Sequence, residues 1–165
     1  MTGVQTCALP ISHCHDFEPE LSAWIKRQGK DVAVRKVPVA FRDDLLIHSQ
    51  LFYALESMGR SDLHAKVMDA MHVSKKKLLS EAEITDWVGS QGVDTQAFLK
   101  AFKSFTVTSK ARSGNQIAQA YRIDGVPTVA IQGKYITSPS IAGGSKARAI
   151  QVMDYLVEKA RKEKR

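Results

Sequence analysis

Between Leu45 and Ile123 the chain runs through segment after segment of helical period without one convincing strand, yet β-type sequence lies on both sides of this block. That arrangement constrains the fold more than any single motif. The flanking β segments must meet in one sheet, and the helical block has to leave that sheet and return as an insertion. Inside the block, "LLIHSQLFYALESMG" keeps a helix period and stops at Gly59, and "SDLHAKVMDAMHVSKKKLL" opens on a capping Ser61. "SEAEITDWVGSQG" carries a Ser80-x-x-Glu83 capping box and ends at Gly89 or Gly92. "DTQAFLKAFKSF" is capped by Asp94, and its spacing predicts one apolar face of Phe98, Ala101, Phe102 and Phe105. A last helix is predicted from about Val107 to Tyr121.

The flanks are shorter and mixed. Cys14 to Gln28 reads as a helix with Phe17, Leu21, Trp24 and Ile25 on one stripe and Pro19 as a kink or local break. Gly29 stops it, and "VAVRKVPVAF" follows as a buried strand in which Pro38 sits near the end, where a ladder bond is dispensable. After the block, "PTVAIQGKYITS" predicts a hairpin turning at Gln132-Gly133-Lys134. Gly143-Gly144-Ser145 then leads into a terminal helix with the stripe Ile150, Met153, Leu156 and Val157.

Net charge is +7, but the cations are spread out, with local runs only at Lys75-Lys76-Lys77 and from Lys159 to Arg165. A nucleic-acid interface needs a clustered stripe or a recognisable module, so no nucleic-acid partner is expected. The apolar runs are too short to span a bilayer.

Cys7 and Cys14 are the chain's two cysteines, and His13 and His15 flank the second. Pro10 and the wide spacing do not reproduce the tight turn of a C-x-x-C pair. A Cys7–Cys14 bridge and a zinc site made by Cys7, His13, Cys14 and His15 remain alternatives, although the ligands of the latter are crowded; the expectation is no metal and no cofactor. Cys14 itself reads as a buried, largely inert thiol and His15 as a surface residue.

"HCHDFEP" at a helix start, "GVPT" from Gly125 to Thr128 ahead of a hairpin, and the helical block between them resemble the DsbA family of thiol:disulfide interchange proteins. "KVPVAF" and "QGKYITSP" fit the same pattern, and the similarity covers about residues 13 to 160. The resemblance implies an α/β thioredoxin-like fold from residues 13–44 and 124–165, with an inserted helical subdomain at 45–123. It also implies that the native N-terminal strand is lacking, so that only the apolar run "VQTCAL" could stand in its place. In that family the helix opens on Cys-Pro-His-Cys, whereas the aligned residues here are Ile11-Ser12-His13-Cys14. The resemblance therefore makes Cys14 the resolving cysteine and His13 the residue that tunes a nucleophile absent at position 11. It makes Val126 and Pro127, with a cis peptide between them, the substrate-binding element.

Met1 to Ile11 matches the translation of a widely used sequencing adapter read from a GTG start, with Ser12 formed from its last base and the remains of a proline codon. Residues 1–12 are accordingly expected to be a non-native leader on an N-terminally truncated chain. The function the resemblance implies is a periplasmic oxidase that introduces disulfides into reduced, unfolded secreted proteins. It would act as a monomer and be reoxidised by a membrane partner of the DsbB type. This chain would be inactive for want of the cysteine at position 11. Two other readings stay open on the residues: a glutathione-binding kappa-class transferase or isomerase, against which His13-Cys14 argues, and a non-catalytic peptide-binding module.

Overall fold

The computed structural model describes residues 11–163 in full and the backbone of residues 2–7. The element order is β1 (Thr2–Cys7), α1 (Ser12–Lys26), β2 (Ala33–Pro38), α2 (Leu46–Ser57), α3 (His64–His72), α4 (Glu81–Ser90), α5 (Thr95–Phe102), α6 (Phe105–Ala120), β3 (Thr128–Ile131), β4 (Tyr135–Thr137) and α7 (Lys146–Glu163). The four strands form one sheet in the order β2-β1-β3-β4. β1 and β2 are parallel, joined through α1, and β3 and β4 run antiparallel to their neighbours. The sheet expected to lack its native first strand thus has backbone in that place, with Gly3 to Thr6 set against Ile131 to Thr128.

Alternation along β3 builds the two faces of the sheet. Val129 and Ile131 point into a core shared with Phe17, Leu21 and Trp24 of α1 and with Ala149, Met153, Leu156 and Val157 of α7. Ala130 points the other way, onto Val37 of β2 and Ile117 and Tyr121 of α6. The insertion has its own core, made by α2 to α6 around Leu51, Leu55, Leu63, Ile84, Trp87 and Phe98. Cys14 is the first residue of the buried α1 stripe and belongs to that second core, so α1 reaches from the sheet to the insertion.

α6 crosses the end of β2 at Gly114. A Cβ there would lie 2.1 Å from the Pro38 carbonyl oxygen, so only glycine allows the approach. The adjacent Asn115 accepts the Ala40 N–H at 2.9 Å, satisfying backbone that has left the sheet.

Several expectations need correction. β2 is an edge strand rather than a buried one: burial alternates along its first half and is complete only at Val37 and Pro38. Exposed Arg35 and half-buried Lys36 suit an unpaired edge. Of the two outcomes expected at Pro19, the break does not occur, since α1 runs unbroken with Pro19 inside it. α3 ends at His72, because Lys75 and Leu78 adopt left-handed φ values of 56° and 49° and break the period. Phe105 does not join the apolar face of α5; Ser104 caps a new helix there, and Phe105 is 85 % exposed. The Ser80 hydroxyl does accept the Glu83 N–H, but the Glu83 carboxylate returns to the N–H of Leu79, one residue earlier than the capping box predicts. The hairpin forms as expected, with Gln132 and Gly133 at φ 55° and 68° supplying the doubly left-handed turn.

Candidate functional site

α1 begins at Ser12, and Ile11 occupies its N-cap position with extended backbone (φ −96°, ψ 119°). Isoleucine offers no acceptor, and the helix has no side-chain cap and no acidic residue in its first turn. The earliest N–H groups of a helix have no intrahelical acceptor, and the macrodipole adds positive potential at the same point. Position 11 is therefore where an anion would be best stabilised, while the side chain actually present is apolar and packs against the insertion core.

Three residues on, Cys14 is fully buried. It is disulfide-bonded rather than the inert thiol expected, and the Cys7–Cys14 bridge falls outside the described residues, as does the Cys7-containing zinc alternative. His15 is more than a surface residue: its Nε2 lies 3.0 Å from Asp69 Oδ1, and its ring stacks on His72 of α3 at 4.9 Å. These contacts tie the first turn of α1 to the insertion.

His13 points away from both cores and is exposed. It lines a groove of about 740 Å³ together with Val126 and Pro127, whose shared peptide is cis. The structure thus brings three of the four predicted site residues to one groove, while Cys14 is buried in the insertion core and does not line it. The connector is fixed from below, where the Thr128 hydroxyl donates to the Gly125 carbonyl at 2.7 Å.

The rest of the lining was not anticipated. Ile136 and Ile141, 40 % and 62 % exposed, present apolar surface there, and Ser138 to Gly144 form the rim. The Ser138 hydroxyl accepts the Ile141 N–H at 3.0 Å and closes that rim into a turn. Lys146 at the start of α7 reaches across, with Nζ 3.0 Å from the Asp16 carbonyl oxygen and 3.0 Å from Glu20 Oε1. The Lys146 hydrogen bond holds the Glu20 carboxyl below its ordinary range. The one available signal was the run "SPSIAGG", whose exposed isoleucine sits among turn formers. A second, smaller cleft on the other side of α1 gathers Glu18, Lys36, Phe52, Glu56 and His64 and contains no predicted site residue.

A helix start beside a Val-Pro step, over a sheet carrying a helical insertion, defines a thioredoxin-type domain built for thiol chemistry. Comparison with known proteins carries this further. Residues 44–151 match the model of the DSBA-like thioredoxin domain. The thiol:disulfide interchange protein DsbA of Burkholderia cepacia is 41 % identical over 153 residues, which is 92 % of this chain and 72 % of that protein. The DsbA of Azotobacter vinelandii is 41 % identical over 150 residues, 90 % of this chain and 70 % of its own length. The crystal structure of Pseudomonas aeruginosa DsbA superposes with a TM-score of 0.92 at 33 % identity, covering 98 % of this chain and 84 % of that one. The chain belongs to the DsbA family of thiol:disulfide oxidoreductases. Of the enzyme classes the sequence left open, the interchange proteins are the one its relatives represent.

Proposed function

We propose that this architecture serves a periplasmic disulfide oxidase of reduced, unfolded secreted proteins, acting as a monomer and recharged by a membrane reoxidase of the DsbB type. Exchange takes place between position 11 and Cys14. A substrate thiolate attacks the sulfur at position 11, forming a mixed disulfide and releasing the thiolate of Cys14. A second substrate thiolate then attacks the substrate sulfur of that mixed disulfide, and the position-11 thiolate leaves. Two substrate thiols are oxidised to a disulfide and the protein pair is reduced to two thiols.

Within this scheme the N–H groups and dipole of α1 stabilise the leaving thiolate at position 11, and His13 adds a donor or a positive charge beside it. Stabilising the reduced form in this way makes the oxidised form a stronger oxidant, and a strongly depressed cysteine pKa is a known property of this same family. Val126 and Pro127 receive the substrate as an extended segment, whose backbone pairs with theirs while its side chains fill the groove. Ile11 supplies no sulfur, so this chain cannot carry out the exchange as it stands.

The observation that carries the reading is that His13, Val126 and Pro127 line one groove directly over the start of α1. It is tested by Ile11→Cys with Ser12→Pro in a Cys7→Ser background, which frees Cys14 to pair with position 11, assayed for oxidative refolding of a reduced, unfolded disulfide protein. The substituted chain is expected to gain the activity and the chain as it stands to lack it. A folded substituted chain with no activity would overturn the proposal.

A further inference from the structure

Three helices of the protein end with the same pair of backbone bonds. At the end of α2, Arg60 N–H reaches the Leu55 carbonyl at 2.8 Å and Gly59 N–H reaches Glu56 at 3.0 Å. At the end of α4, Val93 reaches Val88 and Gly92 reaches Gly89. At the end of α6, Ile123 reaches Ala118 at 2.8 Å and Arg122 reaches Gln119 at 3.0 Å. This closure puts the residue just past the helix into the left-handed region, where glycine is favoured because it has no Cβ to clash. The first two positions are glycines, at φ 69° and 76°, and the third is Arg122 at φ 52°.

The one closure of the three that departs from glycine is also the one that borders the groove: Arg122 lines it, as do Asp124, Val126 and Pro127 further along the same connector. A side chain held in an unfavourable backbone conformation beside a binding surface points to a use for that side chain. Arg122 is exposed and makes no side-chain hydrogen bond or ion pair among the described residues. The other cation of the groove, Lys146, is already committed to Glu20 and to the Asp16 carbonyl. A guanidinium in this state presents its planar fork of donors to whatever occupies the groove, and a carboxylate is the group that matches the fork in charge and shape.

We propose that Arg122 is a specificity residue, selecting substrate segments that carry an acidic side chain close to the reacting cysteine. The proposal rests on the groove being the substrate site. Asp124, on the same connector, faces the same space and disfavours a second acidic group, so the preference is for one carboxylate rather than an acidic run.

The test uses nine-residue peptides with serine in place of the central cysteine, so that binding is read without exchange. Each carries Asp, Asn or Lys at one of the three positions on either side of the serine, and binding is measured by fluorescence anisotropy at low salt. At one of those positions the chain should bind the Asp peptide roughly three-fold more tightly than the Asn peptide, the size expected of a solvent-exposed ion pair. The ratio should shrink at high salt. Arg122→Gly should bring the ratio to one while raising thermal stability, because glycine relieves the left-handed backbone. Arg122→Lys should keep part of the preference, and Arg122→Glu should turn it toward the Lys peptide. A preference that survives Arg122→Gly, or equal binding of all three peptides at every position, would overturn the proposal. No binding by any peptide would remove the groove reading itself and the inference with it.

Discussion

The start of α1 and the starts of three insertion helices are finished in opposite ways. In the insertion, α4, α5 and α6 each begin on a side chain that accepts a backbone N–H: Ser80 from Glu83, Asp94 from Ala97 and Ser104 from Val107. In the sheet half, Ser145 caps α7 by accepting the Arg148 N–H, but α1 begins on Ile11, whose side chain accepts nothing. Those three insertion helices are closed locally by side chains, and α2 and α3 instead continue directly from the short 3-10 turns Asp43–Leu45 and Ser61–Leu63. α1 has its N–H groups uncapped by any side chain and is held in place by burial instead, through Phe17, Leu21 and Trp24. A capped start is a structural device, whereas the start of α1, closed by neither a side chain nor a preceding 3-10 turn and bordering the groove, is available for chemistry.

The contrast can be broken hardest at the anchor. Trp24 is 2 % exposed, and its indole N–H donates to Asp154 of α7 at 2.7 Å. Trp24→Ala should cost about 3–5 kcal/mol, read from chemical denaturation. A loss below about 1 kcal/mol would mean that burial does not hold α1. Gly114→Ala comes next. In an open helix this change stabilises by roughly 0.5–1 kcal/mol. Here the new Cβ meets the Pro38 carbonyl, so a loss of about 2–3 kcal/mol is expected.

Acid probes the insertion. His48 is buried with its Nε2 at 3.0 Å from the Leu78 carbonyl oxygen and 3.1 Å from that of Lys77, and its Nδ1 has no partner among the described residues. His64 stacks on Phe52 at 4.0 Å. Burial pushes both imidazoles below the ordinary histidine value, against the raising effect of their carbonyl partners. The unfolded chain then binds more protons than the folded one once the pH drops below about 6.5. Stability is full above that value and falls as the pH is lowered toward the folded pKa values, by up to about 1.4 kcal/mol per pH unit for each histidine. Denaturant midpoints between pH 7.5 and 5 check this, and His48→Gln should flatten the profile. Smallest of all, Ser80→Ala, Asp94→Ala and Ser104→Ala should each cost about 1 kcal/mol. The counterpart Ile11→Ala should show no loss of a cap, only a reduced apolar contact.

Most of the architecture was legible because it depends on local signals. The caps at Ser80 and Asp94, the turn at Gln132-Gly133 and the stripe of α1 are each written within a few residues. What escaped depends on tertiary placement. The edge position of β2 follows from which strand neighbours it, and its β-branched sequence reads the same in the middle of a sheet. Phe105 has the spacing of the α5 face, but Ser104 starts a new helix and turns it to solvent. The site divided in the same way. His13 and the Val126-Pro127 step were found from their motifs, but Ile136, Ile141 and Lys146 come from separate elements that meet only in the fold. A disulfide at Cys14 stood only as an alternative behind the free thiol, and the contact of His15 with Asp69 and His72 was beyond local reasoning.

Whether the uncapped start of α1 is built to hold a thiolate is decided by titrating one thiol there. Ile11→Cys in a Cys7→Ser, Cys14→Ala background leaves a single sulfhydryl, whose ionisation is followed by thiolate absorbance in the ultraviolet. The expected pKa lies well below the ordinary cysteine value of about 8.5. A folded variant whose thiol titrates at or above about 8.5 would contradict that role for the helix start.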